Sequence, residues 1–325
     1  MNARRFAATP PRRYALARAI ACVIALGATP AAFAAVDWAK APEREVMLFY
    51  PGQASWEWVM TQADHSGATK FRGGKNCRGC HEGEQADIGA AIMAGGHKLE
   101  AHPLAGKPGS LRLFVRTARD ADRLYFQFRW KPGPARNPAK GDTAARVTVM
   151  LDDGGIKESA RAGCWASCHD DSMGMASAAP GSKTNKYLGA SRPKLSRQGG
   201  GTQVKPEAEI KALLAQGAYL EYWQAKLNPG KPATASGGYI LADRAKATAP
   251  AVTAEAQFTG GEWHVTLSRP LKPGGPGQKP LVAGKPYAVG FAVHDDFAEH
   301  RHHFVSLEYT LQIDGGTADF VATGK

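Results

Sequence analysis

Four of the five cysteines in this 325-residue chain fall in two pairs, and a histidine closes each pair. The first run is Cys77-Arg78-Gly79-Cys80-His81; the second is Cys164-Trp165-Ala166-Ser167-Cys168-His169, with three residues between its thiols instead of two. A Cys-x-x-Cys-His run is the attachment signature of c-type haem, because two thiols can add to the two vinyl groups of one porphyrin and the adjoining imidazole then falls beneath the iron. Composition alone would give about 0.002 such runs in a chain of this length. Two disulfides, or a four-thiolate zinc site, would use the same cysteines but leave both terminal histidines unexplained. The expectation is two covalently bound haem c groups, attached at Cys77 and Cys80 and at Cys164 and Cys168, with His81 and His169 as proximal iron ligands. The chain must therefore fold around two flat, mostly apolar groups.

The segment 1–34 reads as a signal peptide. Arg4, Arg5, Arg12, Arg13 and Arg18 lead an apolar run from Ala19 to Ala28, and Ala32-Phe33-Ala34 supplies a small-x-small cleavage pattern. The apolar run is too short for a membrane span, and no later stretch approaches about 18 consecutive apolar residues. Export to the periplasm is expected, with no membrane span in the mature chain. Loss of the five arginines lowers the formal net charge from +12 to +7. A modest basic excess suits an acidic redox partner, such as another cytochrome or a periplasmic oxidoreductase. An exported chain without a recognition motif gives no reason to expect nucleic acid.

Two segments follow. Residues 35–104 read as a small, mostly helical c-type haem segment: Glu43 to Tyr50 extended, Ser55 to Gln62 and Gln85 to Met93 helical. Residues 105–325 change to period two. Leu111, Leu113 and Val115 alternate with polar neighbours, and Leu124, Phe126, Phe128 and Trp130 alternate with Tyr125, Gln127 and Arg129. Further strands are expected over 147–151, 219–226, 239–241, 254–258, 263–268, 287–294 and 303–313, with Gly260-Gly261 as a hairpin turn. The stretches 131–142, 190–203, 228–238 and 270–285 read as loops, and 206–216 as the one helix of this half. The fold class is mainly β: an antiparallel β-sandwich carrying the second haem, preceded by the helical segment.

The sixth iron ligands must come from other residues. For the first haem His65, twelve residues before Cys77, is the favoured candidate; His97, His102, Met60 and Met93 compete. For the second, the cluster His294-Asp295-Asp296 and His300-Arg301-His302-His303 is the source. His303 is preferred because strand alternation puts it with Val305, Leu307 and Tyr309 on one face of a regular strand. His294, which a neighbouring aspartate could orient, is the alternative, with Met173 and Met175 as further competitors. His264 reads as a solvent-facing strand residue.

Residues from about 109 to 315 resemble the haem-binding domain of ethylbenzene dehydrogenase gamma subunits and related cytochromes of the dimethyl sulfoxide reductase group. Leu124 to Trp130, Leu151-Asp152-Asp153-Gly154, Gly163-Cys164-Trp165, His169-Asp170-Asp171, Gly290 to Asp295, and Val305-Ser306 to Leu311 carry the likeness. The resemblance implies a β-sandwich holding haem. The gamma subunits use a methionine and a lysine on non-covalent haem, whereas this chain has a Cys-x3-Cys-His run and His303 where the lysine stands. It is more similar to the secreted di-haem members, which add a Cys-x-x-Cys-His segment in front. With the histidines read above as ligands, the expected function is periplasmic electron transfer by a di-haem cytochrome with bis-histidine irons, an electron carrier and not an enzyme. The alternatives are a haem subunit of a molybdenum oxidoreductase and a redox enzyme with an open iron.

Overall fold

Period-two alternation becomes sheet along most of the chain. In order, the elements are β1 (Arg44–Phe49), α1 (Trp56–Met60), α2 (Ala68–Arg72), α3 (Arg78–His81), α4 (Gln85–Met93), β2 (Ser110–Arg119), β3 (Arg123–Trp130), β4 (Ala145–Asp152), α5 (Ser159–Ala162), β5 (Ser167–His169), β6 (Lys186–Leu188), α6 (Glu207–Ala215), β7 (Leu220–Leu227), β8 (Thr234–Ile240), β9 (Arg244–Lys246), β10 (Thr253–Thr259), β11 (Glu262–Pro270), β12 (Tyr287–Asp295), β13 (His303–Val305), β14 (Tyr309–Ile313) and β15 (Phe320–Ala322). The computed structural model describes residues 36–324 apart from 53, 55, 134–143, 164–166, 170–185, 194–202, 248–251 and 296–301, and only the backbone of 56, 57, 167–169 and 186. The signal-peptide reading, Cys164, His300, Met173 and Met175 lie outside the described residues.

One hydrogen-bonded ribbon runs β10-β11-β3-β2-β1-β13-β12-β4-β7-β8-β9, with β14 added beside β12 and β15 beside β14. All its pairings are antiparallel except β14 with β15. The ribbon folds over so that β10 and β11 approach β8 and β7, which makes it sandwich-like. Between the layers, Phe126 of β3 meets Trp223 of β7 and Phe291 of β12 edge-on at 5.6 and 6.0 Å, and Phe320 of β15 closes on Phe291 at 5.5 Å. Leu111, Leu113 and Val115, and Leu124, Phe126, Phe128 and Trp130, all point into this core, as their alternation requires. The first strand, β1, pairs with β2 and β13 inside the ribbon, so the segment 35–104 contributes an interior strand.

A buried ion pair spans the two layers. Glu221 of β7 meets the Nε of Arg269 on β11 at 2.7 Å, and both side chains are essentially inaccessible. The Lys279 amide and the Trp223 indole N–H also donate to the Glu221 carboxylate, at 2.6 and 2.7 Å.

The central strands are buried on their outer faces as well. Phe49, Met150, Tyr222, Ala292, Val305 and Leu307 belong to a second apolar cluster with Ile156 and Leu188, beneath the segment that links β4 to β7. Two-sided burial explains why Val149, Met150 and Leu151, three successive residues of β4, are all apolar and buried where a half-exposed strand would alternate.

The structure departs from the sequence expectations at two informative places. The expected strand 303–313 is two strands, β13 and β14, because the chain bulges at Ser306. Val305 pairs with Ala292 and Tyr309 with Val289, so four steps on one strand match three on the other. Ser306 seals the bulge: its amide donates to the Phe291 carbonyl and its Oγ accepts the Phe291 N–H, both at 2.9 Å. His303 and Val305 therefore stay on the outer face, while Tyr309 is turned into the inner core. Alternation through the bulge had grouped Tyr309 with His303. The other departure is β8, which starts at Thr234, inside a stretch that reads as loop. Gly237 and Gly238 sit so close to Val252, Ala245 and the Tyr222 hydroxyl that any side chain there would overlap them. Elements such as α2, α3, α5, β5, β6, β9 and β15 are too short to leave a period in sequence.

Candidate functional site

The first motif is a single helical turn. The Cys80 and His81 amides donate to the Cys77 carbonyl at 3.1 and 2.9 Å, so both thiols project from one side of the turn and His81 follows directly. Asn76 starts the turn by accepting the Gly79 N–H at 2.9 Å, and a side chain at Gly79 would overlap that of Asn76. Cys77 is half-buried and Cys80 exposed, and neither is in a disulfide.

Beside this turn lies an apolar cavity of about 260 Å³. Phe49 of β1, Val59 of α1, Phe71 of α2, Ile88 and Ile92 of α4, and Leu307 are among its walls, and Cys77, Cys80, His81, His65 and His97 open onto it. The His65 and His81 rings face each other with centroids 6.1 Å apart. Two imidazoles that share one metal need about 2 Å for each nitrogen–metal bond and about 1 Å from each nitrogen to its ring centre, close to 6 Å in all.

Hydrogen bonds fix which ring nitrogen each histidine can offer. His65 Nδ1 lies 3.0 Å from the Val59 carbonyl, and His81 Nδ1 lies 2.9 Å from the Glu84 carboxylate. Both partners accept, so Nδ1 carries the proton in each ring and the Nε2 lone pair is available to a metal. Burial holds His65 below its ordinary pKa; the Val59 bond opposes this and the nearby His81 adds to it. His97 differs. Its Nδ1 accepts the Leu99 amide N–H at 3.1 Å, which leaves the proton on Nε2 and that nitrogen unfit to ligate. Of the other candidates, Met60 and Met93 pack against the hydrophobic clusters, and the exposed His102 donates its amide to Glu100 at 3.2 Å. The donor set, the apolar walls and the spacing of the two rings fit a haem, which Cys77 and Cys80 would anchor with His81 and His65 as its candidate ligands.

The second motif is described through its backbone. β5 pairs with β6, setting Cys168 opposite Tyr187 and His169 opposite Lys186. Tyr187 is fully buried in a cluster with Val59, Phe71 and Ala162, so this strand lies over the wall of the first cavity. The first motif also touches α5: the Cys77 amide donates to the Arg161 carbonyl at 2.8 Å, three residues before Cys164 in sequence. His294 and His303 are cross-strand partners on the outer face, with rings stacked 4.6 Å apart at 17°. His303 is buried and His294 half-buried. Asp295, considered as an orienting group for His294, accepts the Gly133 amide at 2.9 Å. His264 is half-buried on β11, opposite Gln257 and Arg129.

Two polar features had no motif to announce them. Tyr50, adjoining the cavity wall, donates to the fully buried Glu100 at 2.5 Å and lies 3.2 Å from His302 Nδ1. Glu308, also buried, accepts the Arg78 amide inside the first motif at 2.9 Å. Glu84 could have been found from sequence, since it stands three residues after His81 on a helical turn.

A sequence model of the ethylbenzene dehydrogenase family matches residues 211–306, a span that contains β7, β12 and both stacked histidines. The chain is similar to cytochrome c-552 of Stutzerimonas stutzeri, with 37% identity over 304 residues covering 92% of this chain and 95% of that one. It is also similar to cytochrome c-551 of Rhodocyclus tenuis, with 28% identity over 291 residues covering 89% of this chain and 99% of the other. Among solved structures, a family 9 carbohydrate-binding module from Caldicellulosiruptor kristjanssonii in complex with cellotriose aligns over 62% of this chain and 67% of that one. Its TM-score of 0.29 and 7% identity are too low to bear on the argument.

Proposed function

The chain belongs to the c-type cytochrome family of its cytochrome c-552 and c-551 relatives, and from that premise we propose that it is an exported di-haem electron carrier whose irons are each held by two histidines. Covalent haem c follows from the family, and it supplies a one-electron Fe(III)/Fe(II) couple. The observation that carries the finer reading is the His65 and His81 pair, 6.1 Å apart across an apolar cavity and each with Nδ1 tied to an acceptor.

In this reading Cys77 and Cys80 anchor the first haem, His81 is its proximal ligand and His65 its distal one. Val59 and Glu84 keep both rings in the ligating tautomer. Cys164, Cys168 and His169 hold the second haem, with His303 as distal ligand and the stacked His294 as its neighbour and rival. The Cys77 to Arg161 hydrogen bond ties the first motif to the helix that leads into the second and supports electron passage within the molecule. With six ligands on both irons, neither has a position for substrate, so the protein moves charge and leaves molecules unchanged. Among the described residues no helix is long and apolar enough to cross a membrane. The domain layout 1–34, 35–104 and 105–325 belongs to the same reading, with the first segment removed on export to the periplasm.

The test is carbon monoxide added to the dithionite-reduced protein. A carrier with two closed irons keeps its spectrum unchanged. Rapid formation of a carbonyl adduct at either haem would refute the reading and favour an open-iron enzyme. The match to the ethylbenzene dehydrogenase model favours one further possibility, a haem subunit that docks on a periplasmic molybdenum oxidoreductase. Co-purification of a molybdenum protein would establish it.

A further inference from the structure

The first attachment turn holds a carboxyl group that neither haem binding nor iron ligation uses. Glu308, in the bulge between β13 and β14, is 5% exposed. Its Oε1 accepts the backbone N–H of Arg78, the residue that follows Cys77 and stands three before His81. Its Oε2 is buried with no hydrogen-bond partner among the described residues. Its backbone packs on Gly163, which precedes Cys164 of the second motif. A buried carboxylate needs a cation or several donors to stay ionised.

The nearby cations are committed elsewhere. The Arg78 guanidinium is drawn to Glu82 at 2.7 Å and Asp319 at 2.9 Å, and it lies over the Tyr309 ring. On α5, Arg161 donates to the Phe71 carbonyl and lies over the Phe71 ring. The charges that act on Glu308 are thus Arg78, which favours its ionised form, and Glu82, which opposes it.

We propose that Glu308 is the proton partner of the first haem, taking up one proton when that iron is reduced and releasing it on oxidation. The inference rests on the reading that Cys77, Cys80 and His81 hold a haem. The balance is Fe(III) with ionised Glu308, plus one electron from a one-electron donor and one proton from water, giving Fe(II) with neutral Glu308. Reduction would remove one positive charge from the haem held by the turn whose Arg78 amide Glu308 accepts, so the anion would lose attraction and bind its proton more tightly. A unit charge roughly 10 Å away changes a proton affinity about tenfold at an effective dielectric near 20. Burial pushes the Glu308 carboxyl up to about 7, with the Arg78 amide and Glu308's own amide opposing the rise, so the exchange falls near neutral pH.

The test is a spectroelectrochemical titration of the purified holoprotein between about pH 5 and pH 9, comparing wild type with Glu308→Gln. In wild type, one haem midpoint falls with rising pH by about 59 mV in total, the equivalent of a tenfold change for a one-electron couple. In E308Q that haem loses its slope, while the other haem keeps its wild-type profile. Reduced-minus-oxidised infrared spectra of wild type give an independent readout, in which a protonated carboxyl band grows on reduction and shifts in heavy water. A flat wild-type profile, a slope that survives in E308Q, or no carboxyl band on reduction would each overturn the assignment. Haem content separates the two ideas, since a protein without thioether-linked haem at Cys77 and Cys80 fails the functional reading, whereas a loaded but pH-independent protein fails only the role of Glu308.

Discussion

Replacing His65 with Ala removes one of two rings whose centres lie 6.1 Å apart, and leaves His81 with its Glu84 bond intact. The cavity walls, built by Phe49, Val59, Phe71, Ile88 and Ile92, do not depend on the imidazole, so haem attachment and folding persist. The ferric protein then holds one five-coordinate or water-ligated iron and one unchanged iron, and about half of its haem absorbance converts from low spin to high spin. The side chain lost was tethered and pre-oriented by Val59. A tethered group competes at an effective concentration of roughly millimolar or more, so free imidazole at ~10–100 mM restores the low-spin spectrum. Electron paramagnetic resonance of the oxidised variant, with and without imidazole, reads both effects. His97→Ala is the control and leaves the spin state alone, because its Nε2 carries the proton. A fully low-spin His65→Ala protein, or spin conversion in His97→Ala, would refute the tautomer argument.

Further outcomes follow from the same geometry. His303→Ala converts the other haem to high spin and leaves the first untouched, so the double variant with His65→Ala is high-spin at both; conversion by His294→Ala instead would move the assignment to that neighbour. Arg269→Met leaves Glu221 buried without its cation and costs about 3–5 kcal/mol, a fall in melting temperature of roughly 6–20 °C by calorimetry; an unchanged melting point would show the pair to be dispensable. Glu308 makes stability pH-dependent with a definite sign. Its folded pKa of about 7 lies above the ordinary 4.5, so its contribution is complete below about pH 4.5 and is lost as pH rises through 7, about 3 kcal/mol in all. Denaturant midpoints measured against pH should therefore decline across that window in wild type relative to E308Q, and parallel curves would contradict the shift.

β2, β3, α4, α6 and the Gly260-Gly261 hairpin were legible because each leaves a local signal: a period of 2 or 3.6, or glycines, here both at positive φ. His65 could be nominated from its place before Cys77, yet only the fold shows that His65 Nδ1 meets the Val59 carbonyl while His97 Nδ1 meets the Leu99 amide, the contrast on which the proposed choice between them rests. That choice depends on backbone groups, which carry no residue-type signal. The bulge at Ser306 was hidden for a related reason, since one extra residue in a strand alters no composition but reverses every face beyond it. It turned Tyr309 inward and brought Glu308 against the Arg78 amide, a contact between residues 230 apart in sequence. The glycines of β8 misled because they serve close backbone approach there, whereas in sequence they resemble loop.

Intact-mass measurement of the exported protein, made in a host that matures c-type cytochromes, tests the account most directly. The expected mass is that of a mature chain beginning near residue 35 with two covalent haems, one lost with Cys77→Ala/Cys80→Ala and the other with Cys164→Ala/Cys168→Ala. A mass for a single haem that the second pair of substitutions leaves unchanged would contradict the di-haem reading, and a colourless, unmodified chain would contradict all of it.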